Sequence, residues 1–289
     1  MTTLASYIQT TRDYIHDATG AFWTDSQLTS YINRGRQKVV WLTKCYRKLQ
    51  PFNLVGSVTS ISVTSGGHYT STPTVVFANT YGSGGTASVT MNGTAIASIT
   101  VISAGSYTQA PAISFTGGGG TVQAVAVATL VMDESLSFTQ LPQDLAGNTT
   151  IDIMNITIIN GQQRMPLNWM VYTQFTAYVR PWTTFVAQPT CFSLYGQNTI
   201  YIGPRPDQTY PLEIDSVVMP PDMANTTDVD PILAPYTSPV AYYAASLAYK
   251  YQQQTAESEY YTKAFERDIA LVMQGVSQRR VFSPFTDRT

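Results

Sequence analysis

The sequence predicts an α+β protein: N- and C-terminal helices forming a helical bundle, a central antiparallel β region, and an inserted, duplicated all-β module. Three observations predict it. From Leu49 through Met132 there is no Asp, Glu, Lys or Arg. Inside that stretch one pattern occurs twice, Ile61-Ser-Val-Thr-Ser-Gly-Gly-His-Tyr69 running on to Pro73 and Phe77, then Ile99-Thr-Val-Ile-Ser-Ala-Gly-Ser-Tyr107 running on to Pro111 and Phe115. Alternating apolar residues broken by Gly turns at a fixed period read as repeated β units. Apolar residues at helical spacing stand on both sides of the block, which marks it as an insertion.

Taken in order, Leu4, Tyr7, Ile8 and Ile15 share one face of a helix over 4–18, with Gly20 as the stop. Thr24-Asp-Ser-Gln27 fits a capping box, and Trp23 and Leu28 fit the hydrophobic staple that goes with it. Leu28, Tyr31, Ile32, Gly35, Val39 and Leu42 carry that helix to about Lys48, before Pro51. In the duplicated block, Asn92-Gly93 is a hairpin signal and Gly117–Gly120 a flexible turn. Leu141-Pro-Gln-Asp144 reads as a turn into a strand over Thr150–Ile159, and Asn160-Gly161 as the next hairpin. Thr199–Ile202 and Tyr210–Val218 read as strand, turn, strand, ended by Pro220-Pro221. Ser238-Pro239 has the form of an N-cap with Pro at the first helical position. Val240, Tyr243, Ala244, Leu247 and Tyr251 line that helix; Tyr261, Phe265, Ile269, Val272 and Val276 line a second. The domain reading is therefore a helical core from 1–52 and 221–278, a duplicated module at 53–132, a β region at 133–220 and an extended tail at 279–289.

Composition excludes several functions. Net charge is −2 and charged residues make up 12% of the chain, which gives no global electrostatic case for nucleic acid or a membrane surface. Tyr, at 19 residues, is abundant, as it is at protein interfaces. A subunit that buries much of its surface against neighbours tolerates so few charges; a Tyr-rich β core is the plainer explanation. Cys45 and Cys191 offer no disulfide framework and no metal spacing, and read as free thiols of a protein made in a reducing cytoplasm. No signal peptide or membrane-spanning stretch is evident. His16 and His68 lack the partners that a triad or zinc site needs, and Asp228-Val-Asp230 lacks the rest of a cation loop. The expectation is a protein that is not an enzyme and takes no cofactor and no metal.

Three groups stand out as contact residues. Arg34, Arg36, Lys38, Lys44, Arg47 and Lys48 put six of the sixteen basic residues on the second helix. They form either a stripe facing DNA phosphates or an acidic partner surface, or a solvated helix face, or partners, within the fold or between subunits, for the acid-rich stretch Asp207, Glu213, Asp215, Asp222, Asp228 and Asp230. Arg279, Arg280, Phe282 and Phe285 make the tail a peptide for docking on a partner. Tyr69 and Tyr107, just after turns, are either exposed repeat contacts or packing across the repeat interface.

The order of elements resembles the head-to-tail adaptor (connector, or head-completion) proteins of tailed bacteriophages. The residues that carry this are Phe22-Trp-Thr-Asp-Ser-Gln-Leu-Thr-Ser-Tyr-Ile-Asn-Arg-Gly-Arg-Gln-Lys-Val-Val40, Leu141-Pro-Gln-Asp144, Asn160-Gly161, Ile200-Tyr-Ile-Gly-Pro-Arg-Pro-Asp-Gln-Thr-Tyr-Pro-Leu-Glu-Ile214 and Tyr242-Tyr-Ala-Ala-Ser-Leu-Ala-Tyr-Lys-Tyr251. The resemblance implies a virion protein of the head–tail junction, a homo-oligomeric ring of about twelve copies beneath the portal. Such a ring extends the DNA channel without reading its sequence, docks tail or nozzle proteins and touches no membrane. The duplicated module departs from the simplest members of that family. A rival reading makes the chain a carbohydrate- or receptor-binding tail component that uses Tyr69 and Tyr107 as its recognition face.

Overall fold

The computed structural model describes residues 2–137, 149–181, 184–196 and 199–277. The chain begins with α1 (Leu4–Ile15) and α2 (Asp25–Thr43). There follow β1 (Arg47–Asn53), β2 (Gly56–Ser65), β3 (Thr74–Phe77), β4 (Gly82–Asn92), β5 (Ala95–Tyr107), β6 (Ile113–Thr116), β7 (Val125–Met132) and β8 (Ser135–Ser137). Next come β9 (Thr150–Asn160), β10 (Gln163–Pro166), β11 (Asn168–Trp169), α3 (Tyr172–Tyr178), β12 (Cys191–Tyr195), β13 (Thr199–Gly203) and β14 (Pro211–Val218). Then α4 (Ser238–Tyr251) and α5 (Thr255–Ser277) complete the described chain. The sheets run β1-β14-β9-β10, β11-β12-β13-β8 and β4-β5-β2-β7, with a two-stranded β3-β6. The described residues divide into two compact units. One draws on Met1–Lys48, Gln143–Ile153 and Ser216–Thr289, the other on Leu49–Pro142 and Met154–Asp215. The stretch 133–220 thus contributes to both.

In the first unit the terminal helices share one core. Leu4, Tyr7 and Ile8 of α1, Leu28, Ile32 and Val39 of α2, Val240, Ala244 and Ala248 of α4 and Phe265 of α5 are buried together with Trp23. Each large aliphatic there contributes about 1.5–3 kcal/mol of burial. The expected capping box is present: Thr24 Oγ1 accepts from Gln27 N at 3.3 Å, and Gln27 Oε1 accepts from Thr24 N at 3.1 Å. The link between α1 and α2 is held by Asp17, whose carboxylate accepts from the backbone N–H groups of Ala21, Phe22 and Trp23 and from Arg12. Those donors, the Trp23 amide first, hold its carboxyl below the usual range. Tyr249 and Tyr261 donate to the Tyr14 carbonyl at 3.1 and 2.8 Å, so α4 and α5 cap the last turn of α1.

Several local expectations are corrected. α1 stops at Ile15, three residues early, because His16 takes a left-handed conformation (φ 55°). α2 ends at Thr43 and not near Lys48, with Lys44 left-handed (φ 52°) and its amide bonded back to Val40. The chain then enters β1, where the ladder competes for residues the helical pattern had claimed: Val218 N donates to the Tyr46 carbonyl. Pro51 sits in that edge strand, a place where a missing N–H is tolerated. At α4 the Ser238 hydroxyl does not cap; it donates to the Asp268 carboxylate of α5 at 2.7 Å. The strand pair on either side of Gly203–Asp207 is not a hairpin, since β13 and β14 belong to different sheets. The turns at 92 and 160 are displaced by one residue, Asn92 pairing with Ala95 and Asn160 with Gln163.

The duplication folds as two interleaved halves inside the second unit. Ile61 of β2 pairs with its repeat equivalent Ile99 of β5, antiparallel. β3 pairs with β6 so that Val75 faces Phe115 and Phe77 faces Ile113, the equivalents exchanged. The aromatic contacts cross in the same sense, Tyr69 on Phe115 and Tyr107 on Phe77. This is the pattern of an internal twofold. The Gly-x-Tyr step of each copy has a steric cause. Gly67 and Gly105 take φ of 64° and 65°, and a Cβ on either would strike the ring two residues on, at 2.8 and 2.5 Å. Tyr69 and Tyr107 are therefore buried, which removes their reading as exposed contacts. Tyr69 Oη accepts from Ala124 N at 2.8 Å, and Tyr107 Oη accepts from Gly85 N at 2.9 Å, each phenol latching a strand edge.

Candidate assembly interface

α2 separates two chemistries. Its inner face places Leu28, Ile32, Asn33, Arg36, Val39 and Val40 in the core, and Gly35 lets α4 approach: a Cβ there would meet the Val240 carbonyl at 3.0 Å. Arg36, expected on the exposed stripe, is fully buried, and this is a correction. Its Nε and Nη2 donate to both oxygens of Asp230, at 3.0 and 2.9 Å, and Nη1 donates to Asn33 Oδ1 at 3.0 Å and the Pro221 carbonyl at 2.8 Å. Asp230 also accepts from Tyr7 Oη at 2.7 Å and from Ile232 N at 3.0 Å. Asn33 closes the set by exchanging hydrogen bonds with both backbone groups of Met223. Burial first, and then the Asp230 carboxylate, push the Tyr7 phenol well above its ordinary pKa. The network ties α1, α2 and the segment 221–232 together, and it realises one pairing with the acid-rich stretch.

The other basic residues have separate fates. Arg34 and Lys38 are exposed on the outer face of α2, one turn apart. Lys44 pairs with Asp152. Arg47 and Lys48 lie on β1, where the Lys48 ammonium stands 5.4 Å from the Tyr46 ring centroid. Beside Arg34 and Lys38 stand Trp41, 61% exposed, and Leu42, also exposed. An open polar groove of about 640 Å³ runs along the same helix, lined by Ser26, Ser30, Arg34 and Gln37 and, across from them, by Leu4 and Asp222. The outer face of α2 thus exposes basic and apolar side chains together. Arg279, Arg280, Phe282 and Phe285 lie outside the described residues, as does Leu141–Asp144.

A second surface was not legible beforehand. In the second unit Tyr172 of α3, Tyr195 of β12 and Tyr201 of β13 pack ring against ring, with centroids 4.3 and 5.3 Å from Tyr172. The Arg180 guanidinium lies 4.8 Å from the Tyr201 centroid and pairs with Glu134. Trp169 and Tyr178 are exposed nearby in sequence. High Tyr content was the available signal, but the pairing of β12 with β13 and the packing of α3 on them bring these positions together.

Asp228, half of the Asp-x-Asp hint, accepts from the Ala224 and Asn225 amides, which hold its carboxyl below the usual range. It serves a turn. Both thiols are free, and burial pushes each up from the ordinary cysteine range. No group of three or more His, Cys, Asp or Glu side chains placed to hold a metal occurs among the described residues. No helix among them is long and apolar enough to cross a membrane.

The fold defines a class: an α+β protein whose terminal helices share one core and whose chain also forms an internally twofold β module. The chain belongs to the SU10 adaptor protein family, whose model matches residues 119–288. That makes it a phage structural adaptor and a virion component. The matched span starts at the end of the duplicated module and takes in α4 and α5; α1 and α2 lie outside it yet complete the same core. No curated protein matches the chain.

Proposed function

We propose that this adaptor sits at the head–tail junction, forming a closed ring beneath the portal that extends the DNA channel and receives tail components. The observation that carries this reading is the family membership, joined to a core in which α1 and α2 pack with the C-terminal helices. The outer face of α2, with Arg34, Lys38, Trp41 and Leu42, is the proposed portal or subunit contact. A mixed basic and apolar patch supplies both anchor residues and an orienting charge. DNA passes without sequence-specific binding, and the chain performs no catalysis. The glycan-binding alternative loses its support, since Tyr69 and Tyr107 are consumed inside the module.

The test is a charge reversal at the two exposed positions, Arg34→Glu with Lys38→Glu, leaving Arg36 intact because it holds the core. Weakened ring formation or portal capture, with an unchanged melting temperature, is the expected outcome. Normal rings and normal DNA retention in that variant remove α2 as the contact.

A further inference from the structure

The duplicated module has two outer faces, and neither carries a formal charge. The front is the exposed side of β4-β5-β2-β7: Ser88 and Thr90, Ser98 and Thr100, Ser62, and Val127 with Thr129, all exposed. Register places Ser62 beside Val127 and Ser88 beside Thr100 on that side, while Ile61 and Ile99 point into the core. The back is the outer side of β3-β6, where Thr74, Val76, Ser114 and Thr116 are exposed and Val75, Phe77 and Phe115 are buried. Val127 is 57% exposed.

An antiparallel sheet with one wet side is polar there, as these Ser and Thr residues are, but formal charges are a regular part of an average soluble surface. At the chain's own 12%, the run from Leu49 to Met132 would hold about ten charged residues; it holds none. Charges are a liability where a face loses its water on packing, because each must then find a partner or be desolvated alone. A β-branched, hydroxyl-bearing face is well suited to stacking on another sheet about 10 Å away. The occupant must itself be free of charge, and the opposite face of the same module meets that condition.

We infer that the module is a self-stacking unit: the front of one copy packs on the back of a second copy of this chain. The front-on-back sense is heterologous, so the contact repeats around a closed ring, which a front-on-front contact cannot do. The inference rests on the ring reading only for that sense. Lacking charge, the contact is insensitive to salt.

The experiment uses the full chain at 50 and 500 mM salt, followed by sedimentation and negative-stain imaging. Front variants Thr100→Lys and Val127→Lys together, and back variants Val76→Glu and Thr116→Glu together, alter exposed positions only, and circular dichroism checks their folding. Each pair weakens self-association by about tenfold or more. A chain carrying all four changes recovers association, now lost at 500 mM salt, because Lys on each front meets Glu on the next back. Assembly unaffected by either pair overturns the inference while leaving the ring intact. So does a loss from the front pair alone with no rescue, which would indicate a front-on-front dimer, and so does a wild-type chain that stays monomeric throughout. Open chains in place of rings, formed at both salt concentrations and disrupted by either pair of substitutions, would keep the stacking contact and overturn the ring reading.

Discussion

Arg36→Met should be the most damaging single change in the helical unit. The thioether fills much of the volume but supplies none of the four donated hydrogen bonds, two to Asp230, one to Asn33 and one to the Pro221 carbonyl. Asp230 is then left as a buried carboxylate with only Tyr7 and the Ile232 amide as donors. Removing one partner of a buried ion pair costs about 3–5 kcal/mol, mostly because the survivor is left uncompensated. For a chain of this size that is a fall of roughly 6–20 °C in melting temperature, read by thermal denaturation followed by circular dichroism. Arg36→Met with Asp230→Leu removes both charges, and it should recover a large part of the loss, since apolar replacements of buried pairs are often nearly neutral. A single variant within about 0.5 kcal/mol of wild type, or a double variant as unstable as the two singles added, refutes the clasp.

Tyr7 sets a pH prediction. Its phenol pKa is raised in the folded state, so the neutral form's contribution is whole below the unfolded value of 10.0 and is lost as pH rises beyond it. Stability should fall between pH 10 and higher values, and Tyr7→Phe should lower stability at pH 7 while reducing that alkaline slope; an unchanged slope contradicts the assignment. In the module, Tyr107→Phe leaves the Gly85 amide without its acceptor and should cost about 1–3 kcal/mol, measurable by urea denaturation. No measurable cost there would mean the phenol latch is idle.

How much of this was legible follows from how local each signal is. Thr24 and Gln27 specify their cap within four residues, and the structure forms it as read. The repeat was visible because Gly67/Gly105 and Tyr69/Tyr107 keep step, and the steric clash a Cβ would make explains why they must. Arg36 was misread because the basic residues were grouped by count: at about 100° per residue it stands about 200° from both Arg34 and Lys38, on the face of Ile32 and Val39, and its partner Asp230 lies 194 positions away. The end of α2 was misread for a like reason: Lys44 to Lys48 carry helix-compatible residues, but pairing of Tyr46 with Val218 takes them into a strand. The Tyr172–Tyr195–Tyr201 cluster depends on the pairing of β12 with β13 and on α3 packing against them, and no periodicity encodes that.

The ring is the claim on which the functional account turns, and imaging the purified chain together with the portal of its phage tests it most directly. The account predicts a closed ring of about a dozen copies coaxial with the portal. A trimer, or a chain that remains monomeric while the portal stands bare, would contradict it.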